Sequence, residues 1–107
     1  MKATYVQRGH TIRYKNTGSE IAAGDIVPLT TRIGVASSDI PAGGEGSVAV
    51  EGVFEIKKKA SEAITVGAAV YYSTTDGVTT TQESNTPAGW AVEAAASEGT
   101  TARIKIG

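Results

Sequence analysis

The stretch Ser47-Val48-Ala49-Val50-Glu51-Gly52-Val53-Phe54-Glu55-Ile56 carries the clearest alternation of apolar and polar residues in the 107-residue chain. Side chains of an extended strand alternate between two faces, so four apolar residues of this stretch share one face. They are Val48, Val50, Phe54 and Ile56. Gly52 falls on the same face, which indicates a bulge or a close approach of another backbone. The stretch predicts one long strand over residues 46 to 56.

The composition extends this interpretation to the whole chain. Val and Ile together number 19, against 2 for Leu and Met, and Thr raises the β-branched total to 33. Branching at Cβ restricts side chains in a helix and suits a pleated sheet. We therefore expect an all-β fold, a single small β-barrel or sandwich-like domain with short turns and at most one short helix.

Turn residues divide the chain into eight predicted strands. Asp76-Gly77 predicts a hairpin, because both residues tolerate a positive φ. The last strand alternates cleanly and should keep one face in water. The strands are expected at residues 11 to 15, 25 to 30, 32 to 37, 46 to 56, 68 to 74, 77 to 81, 89 to 96 and 101 to 106.

The remaining segments are predicted to be connections. Residues 57 to 64 could form one short turn of helix or a plain loop, and the run Lys57-Lys58-Lys59 within them is expected to be a solvated loop. The polar stretch from Thr81 to Ala88 is expected to be an exposed connection. Residues 1 to 10 show little apolar periodicity and are interpreted as an N-terminal arm that a partner could order, with residues 11 to 107 as the β domain.

A short pattern occurs three times, as Ile21-Ala-Ala-Gly24, Ile40-Pro-Ala-Gly43 and Ile64-Thr-Val-Gly67. In each case a buried Ile would anchor the approach and a Gly would allow the tight turn into a core strand. The copies are unevenly spaced and their flanks differ. We interpret them as recurring turn chemistry and not as a true repeat.

Several function classes are disfavoured. The absence of cysteine excludes disulfides, thiolate zinc sites and a cysteine nucleophile. Ten basic against eleven acidic residues give no electrostatic attraction toward nucleic acid or an anionic membrane. The apolar runs are far shorter than the roughly 20 residues needed to span a bilayer, and residues 1 to 10 lack a signal-peptide core. We expect no nucleic acid and no membrane among the partners.

The sequence offers no set of catalytic residues. His10 is the single histidine, and neither a nucleophile elbow nor a phosphate-binding glycine loop is present. The carboxylates show no calcium-loop spacing, and Glu51 and Glu55, four residues apart on one predicted strand, are too loosely spaced to form an acid-base pair. Asp25 is expected to cap a turn. We predict no catalytic residues, no cofactor and no metal, and hence no enzyme.

Two aromatic residues are candidate subunit contacts. Tyr71 and Tyr72 must face opposite sides of their strand, so one should be buried and the other exposed; Tyr72 is taken as the interface candidate. Trp90 is expected to be either a core residue or a second interface residue, and the core position is the preferred interpretation. Because 16 alanines leave a modest core, homo-oligomerisation would bury further surface.

Five blocks of the chain resemble a known family in the same order. They are Tyr5 to Gly9, Ala22 to Val27, Val48 to Phe54, Gly67 to Tyr72 and Gly89 to Ala95. The set is similar to a family of small tailed-phage and prophage capsid decoration, or cement, proteins, formerly described as a domain of unknown function. The residue after Arg8-Gly9, often acidic in that family, is His10 here.

The resemblance implies a structural virion protein that binds the outer surface of an expanded capsid and stabilises it, commonly as a trimer. The implied partner is the major capsid protein, and the implied location is the virion surface after synthesis in the bacterial host cytoplasm. Such a family carries no catalytic residues. The arm residues Thr4, Tyr5, Val6, Gln7 and Arg8 are candidate capsid contacts, through addition of a strand to the shell. A virion-associated receptor- or carbohydrate-binding module is the alternative function.

Overall fold

The computed structural model describes all 107 residues and contains nine β-strands and no helix. The strands form two antiparallel sheets in a sandwich-like arrangement, which confirms the all-β expectation. The strands are β1 (Thr11–Lys15), β2 (Ile26–Leu29), β3 (Arg32–Ala36), β4 (Glu45–Ala49), β5 (Gly52–Lys57), β6 (Ala69–Ser73), β7 (Gly77–Thr79), β8 (Thr86–Ala91) and β9 (Thr101–Ile106).

The two sheets share one strand order. The first sheet has the order β1-β4-β3-β2, and the second has β5-β9-β8-β6-β7. When β7 is set aside, β5, β9, β8 and β6 take the places of β1, β4, β3 and β2. We call residues 11 to 50 the first half and residues 52 to 106 the second half, and residues at matching places in the two halves counterparts.

The prediction of one long strand over residues 46 to 56 is wrong. The chain leaves the first sheet after Ala49 and enters the second at Gly52, whose φ is 133°. This φ lies in the region that favours glycine, and it redirects the chain from one sheet to the other. Val48 consequently belongs to the core of the first half and Ile56 to that of the second. Gly52 marks a crossing between sheets and not a bulge within a strand.

The recurring Ile and Gly turns mark an internal structural repeat, so the interpretation as turn chemistry alone is wrong. Ile21 and Ile40 exchange two backbone hydrogen bonds of 2.9 and 2.7 Å, and Ile64 and Ala95 exchange two of 2.9 and 2.8 Å. In each half, therefore, the turn that precedes the second strand pairs with the turn that precedes the last strand. The fourth turn begins with Ala95, so the sequence pattern shows only three copies.

Further backbone contacts repeat between the halves. Gly24 donates to the Ala36 carbonyl at 2.8 Å, and Gly67 donates to the Ala91 carbonyl at 2.7 Å. Gly34 of β3 and Gly89 of β8 are counterparts, and neither position has room for a side chain. A Cβ on Gly34 would meet the Val48 side chain and the Ala49 carbonyl, and one on Gly89 would meet the Lys105 carbonyl. Glycine at this position lets the neighbouring strand approach closely in both halves.

The two halves differ in the connection between their second and third strands. In the first half, Thr30 and Thr31 alone join β2 to β3. In the second half, the predicted Asp76-Gly77 hairpin is confirmed, because β7 pairs with β6 there. β7 also reaches β5: Lys59 donates to the Val78 carbonyl at 2.9 Å, next to a parallel bridge between Lys58 and Val78. β7 thus extends the edge of β6 and reaches the residues just after β5, and the first half has no strand in this place.

Two boundaries differ from prediction near β8. This strand spans Thr86–Ala91, whereas residues 89 to 96 were expected to form it. The stretch from Thr81 to Ala88 is therefore not wholly an exposed connection, and Ala88 is buried. Pro87 is accommodated at an irregularity in the register between β6 and β8, which is where sheets tolerate proline.

The helical alternative for residues 57 to 64 is wrong, and so is the prediction that Lys58 is solvated. Lys58 is 2% exposed, and its ammonium donates to the carbonyls of Lys59, Glu62 and Ser97 at 3.1, 2.5 and 3.3 Å. Its backbone N-H donates to the Thr100 carbonyl. These bonds hold the segment as a turn around a buried charge, with Lys57 left exposed.

The core has two parts of unequal size. The larger cluster holds ten buried residues, nine from the second half and Ile33 from β3. Ile26 and Val35, which share an outer face with Ile33, also pack against it. The smaller cluster lies on the opposite face of the first sheet and contains Val27, Ala36, Ile40 and Val48. The first half therefore covers the core of the second with its outer face.

Candidate functional site

The structure brings one histidine and one carboxylate together, but no cluster of metal-binding groups. His10 lies at the surface, with Nδ1 3.2 Å from Glu51 Oε1. Glu55 lies in β5 beside Arg103, whose Nε is 3.7 Å from Glu55 Oε1. Glu51 precedes β5, so it does not share this contact. No group of three or more histidine, cysteine, aspartate or glutamate residues is placed to hold a metal ion.

The remaining carboxylates have structural contacts. Asp25 Oδ2 accepts a hydrogen bond from the Ala22 N-H at 2.9 Å, which confirms the expected turn cap. The pKa of Glu98 is lowered, first by a hydrogen bond from its own backbone N-H and then by one from the Ser97 hydroxyl. Glu98 is fully exposed in a turn, so these hydrogen bonds favour the ionised form of a surface carboxylate.

The N-terminal segment offers an extended and exposed surface. Residues 1 to 9 have no regular secondary structure, and residues 1 to 8, which include Thr4 and Arg8, are exposed. Tyr5 and Val6 are 80% and 83% exposed. Gln7 Nε2 donates to the Thr11 carbonyl at 2.9 Å, which ties the segment to the start of β1. The apolar side chains of this segment are thus free of intramolecular packing.

The edge of the first sheet beside this segment is bare. β1 pairs only with β4. The bonds from Val50 to the His10 carbonyl and from Asn16 to the Gly44 carbonyl show that the even-numbered residues bond to β4. The backbone polar groups of Thr11, Arg13 and Lys15 therefore point away from the sheet. A five-residue strand without proline is open to a further strand here.

The opposite edge of the first sheet is blocked. Ala36 donates to the Asp25 carbonyl, so residues 25, 27 and 29 bond to β3 and Pro28 faces the free edge of β2. Proline has no N-H to offer an added strand. In the second sheet, β7 is only three residues long and also covers the end of β5. Two backbone edges are therefore bare, that of β1 and that of β5 before its contact with β7, and only the edge of β1 directly follows the exposed N-terminal segment.

The two aromatic candidates occupy different environments. Tyr72 packs against the larger core cluster and lines a cavity of about 300 Å³ between the halves, together with Ile26, Val35 and Phe54. Trp90 is 44% exposed on the outer face of the second sheet, so the preference for a core position is wrong. The structure does not bring Tyr72, Trp90 and the N-terminal segment together.

Sequence reasoning missed both the bare edge of β1 and the apolar row around Trp90. The row follows strand register across the second sheet, from Val53 through Lys105 and Trp90 to Ala69. Val53 is 56% exposed. The alternation along β5 and β9 could have predicted which of their residues face outward. Only the strand order shows that these residues lie side by side on the sheet. The exposed aromatics are not gathered into a sugar-binding platform.

The structure contains no helix of the length and apolarity that crossing a membrane requires. A family model described as phage cement protein matches residues 6–106. The chain therefore belongs to the phage cement protein family, as the resemblance of its five sequence blocks indicated. Neither the curated proteins nor the solved structures gave a match. The family is one of structural proteins and not of enzymes, and it implies binding to the capsid and a place on the virion.

Proposed function

We propose that the protein binds the outer surface of an expanded phage capsid and stabilises the shell. The observation that carries this proposal is the bare edge of β1, with the exposed residues 1 to 8 leading into that strand. The proposed partner is the major capsid protein, at local three-fold positions of the shell, where the protein acts as a trimer. Synthesis takes place in the host cytoplasm, and the final location is the virion surface.

The proposed attachment uses backbone pairing. Thr4 to Arg8 add as an extended segment to the shell protein, and the open N-H and C=O groups of β1 accept a strand from it. Ordering the arm costs conformational entropy, so each contact is weak. Many copies on one shell make the weak contacts effective together. On this basis, residues 1 to 10 are the capsid-binding arm and residues 11 to 107 the β domain.

The charge distribution supports attachment by shape and pairing. The chain has a formal net charge of -1, and its ion pairs, such as that between Arg13 and Glu45, lie on the surface. Long-range attraction between protein and shell is therefore small. The proposed role requires no catalytic residue and no cofactor, and it involves neither nucleic acid nor a membrane.

Co-sedimentation with expanded, undecorated shells tests the proposal. The wild-type protein is expected to pellet with expanded shells. A variant lacking residues 2 to 9 should keep the far-UV circular dichroism and melting temperature of the wild type and lose shell binding, because those residues make few contacts with the domain. Retained binding by this variant would refute the arm hypothesis, and a wild-type protein that stays in the supernatant would refute the capsid role.

A further inference from the structure

The contact between the two halves joins different surfaces. The first half contributes the outer face of its sheet, with Ile26, Ile33 and Val35. The second half contributes the open side of its core, where Phe54 and Tyr72 lie. Since the halves share one architecture, each should possess both kinds of surface. Only one surface of each half is used within the chain.

The unused surface of the second half is its outer face. Ile26 pairs with Val35 across β2 and β3, as Ala69 pairs with Trp90 across β6 and β8. Ala69 and Trp90 are thus the counterparts of Ile26 and Val35. Lys105 lies between Trp90 and Val53, but its ammonium donates to the Gly107 carbonyl at 3.2 Å. The Lys105 stem adds to the apolar surface while its charge lies toward the end of the chain.

The unused surface of the first half is the open side of its core. The counterparts of Phe54 and Tyr72 there are Ile12 and Leu29, and both are half-buried. Tyr14, Ile21 and Val50 around them are also half-buried. Their counterparts in the second half, which are Ile56, Ile64 and Ile106, are 6%, 1% and 0% exposed. The first half lacks the cover that it provides to the second.

We propose that the outer face around Trp90 of one copy docks on the open side of the first half of a second copy, around Ile12 and Leu29. The contact repeats between chains the arrangement that already joins the halves within a chain. It is head to tail, because each copy uses two different surfaces. A ring of three copies requires such a contact, since a two-fold contact closes at two. The inference builds on the oligomer of the proposed function and assigns its surfaces.

The single tryptophan makes the contact measurable. With rising protein concentration, the wild-type mass by analytical ultracentrifugation should rise above that of one chain. In parallel, the Trp90 emission should shift to shorter wavelength and acrylamide quenching should fall. The Trp90→Glu variant should remain a monomer. Val66→Glu, at an exposed apolar residue outside both surfaces, is the matched control and should assemble like the wild type.

Mixing two defective variants tests the head-to-tail geometry. Trp90→Glu keeps an intact first half, and Leu29→Glu keeps an intact Trp90 face. Each alone should be a monomer, whereas an equimolar mixture should contain dimers held by one intact contact. Dimers of Leu29→Glu alone, which a two-fold contact through Trp90 would give, would overturn the proposal. If Leu29→Glu does not fold by circular dichroism, the Trp90→Glu result decides.

Shell binding separates this inference from the capsid role. A wild-type protein that is a monomer at every concentration and still binds shells overturns the inference and leaves the function standing. A protein that assembles through Trp90 but does not bind shells overturns the capsid role and leaves the inference standing. Assembly of Trp90→Glu equal to that of the wild type, or its loss in Val66→Glu to the same extent, overturns the assigned surface.

Discussion

The two halves share their strand order, paired turns and closely approached glycines, but they differ in closure. The second half has a core of ten buried residues, one of which is Ile33 from the first half. It also has the additional strand β7 and a buried lysine. The first half has four buried core residues, a two-residue turn and an open β1 edge. One architecture thus provides a closed half for stability and an open half whose backbone edge and apolar side remain free for partners.

The buried polar residue after the first strand shows the difference most clearly. Asn16 in the first half donates its amide to the carbonyls of Ser19, Ile40 and Pro41 at 2.9, 3.1 and 3.3 Å. Its counterpart Lys58 places a charged group among three carbonyls. Hydrogen bonds with a charged partner contribute more than neutral ones. The second half is therefore held by the stronger of the two contacts.

The largest expected effect comes from removing the Lys58 ammonium. Lys58→Met keeps the apolar stem but leaves three carbonyls without their donor, so the free energy of unfolding should fall by about 3 kcal/mol in urea denaturation. Lys57→Met, at an exposed neighbour, should change it by less than about 0.5 kcal/mol. Equal effects of the two substitutions would show that burial of Lys58 does not stabilise the second half.

A smaller contrast is expected at the paired glycines. Gly89→Ala places a Cβ on the Lys105 backbone at a φ of 152°, and Gly34→Ala meets the Val48 side chain first. A side chain can shift more easily than a backbone, so Gly89→Ala should lower the free energy of unfolding by about 3 kcal/mol and Gly34→Ala by about 1 kcal/mol. Thermal or chemical denaturation checks the order. The reverse order would contradict the closer packing of the second half.

Proline at matched edge positions separates binding from stability. The N-H groups of Arg13 in β1 and Glu55 in β5 both point away from their sheets, so proline removes no bond within the sheet at either place. Arg13→Pro should reduce shell binding at least tenfold, and Glu55→Pro should leave it unchanged. The free energy of unfolding should fall by about 1 kcal/mol in both variants. Equal binding by the two variants in co-sedimentation would rule out strand addition at β1.

The smallest effect is expected at the surface ion pairs of the second half. Arg103 Nη1 lies 2.9 Å from Glu93 Oε2, and both side chains are largely exposed. Arg103→Gln should lower the free energy of unfolding by less than about 1 kcal/mol, because water and salt screen exposed pairs. The difference from the wild type should shrink further in high salt. A loss as large as that of Lys58→Met would mean that surface charge stabilises the closed half.

The sequence predicted what depends on local pattern. The bounds of β1 and β9, the hairpin at Asp76-Gly77 and the turn cap at Asp25 all follow from alternation and turn chemistry, and the structure confirms them. Alternation continues through Gly52, so it could not show that the chain changes sheets there. A period of two places residues on faces, but it does not say which sheet a strand joins.

The remaining features depend on contacts distant in sequence. Lys58 belongs to a basic run that resembles a solvated loop, and its burial requires the carbonyl of Ser97, 39 residues away. The exposure of Trp90 depends on which face of β8 meets the first half. The internal repeat was hidden because the turn at Ala95 lacks the isoleucine found in the other three. The backbone pairing between turns reveals the repeat, and such pairing cannot be predicted from the sequence of a single strand.

Amide hydrogen exchange on decorated shells tests the central claim most directly, because it reads the two matched edges in one experiment. The account predicts slower exchange on shell binding for the arm residues Tyr5 and Val6 and for the outward amides of Arg13 and Lys15. The outward amides of Val53 and Glu55 in β5 should keep their rates. Unchanged exchange along β1, or new protection confined to β5, would contradict the assignment of the open half as the capsid-binding half.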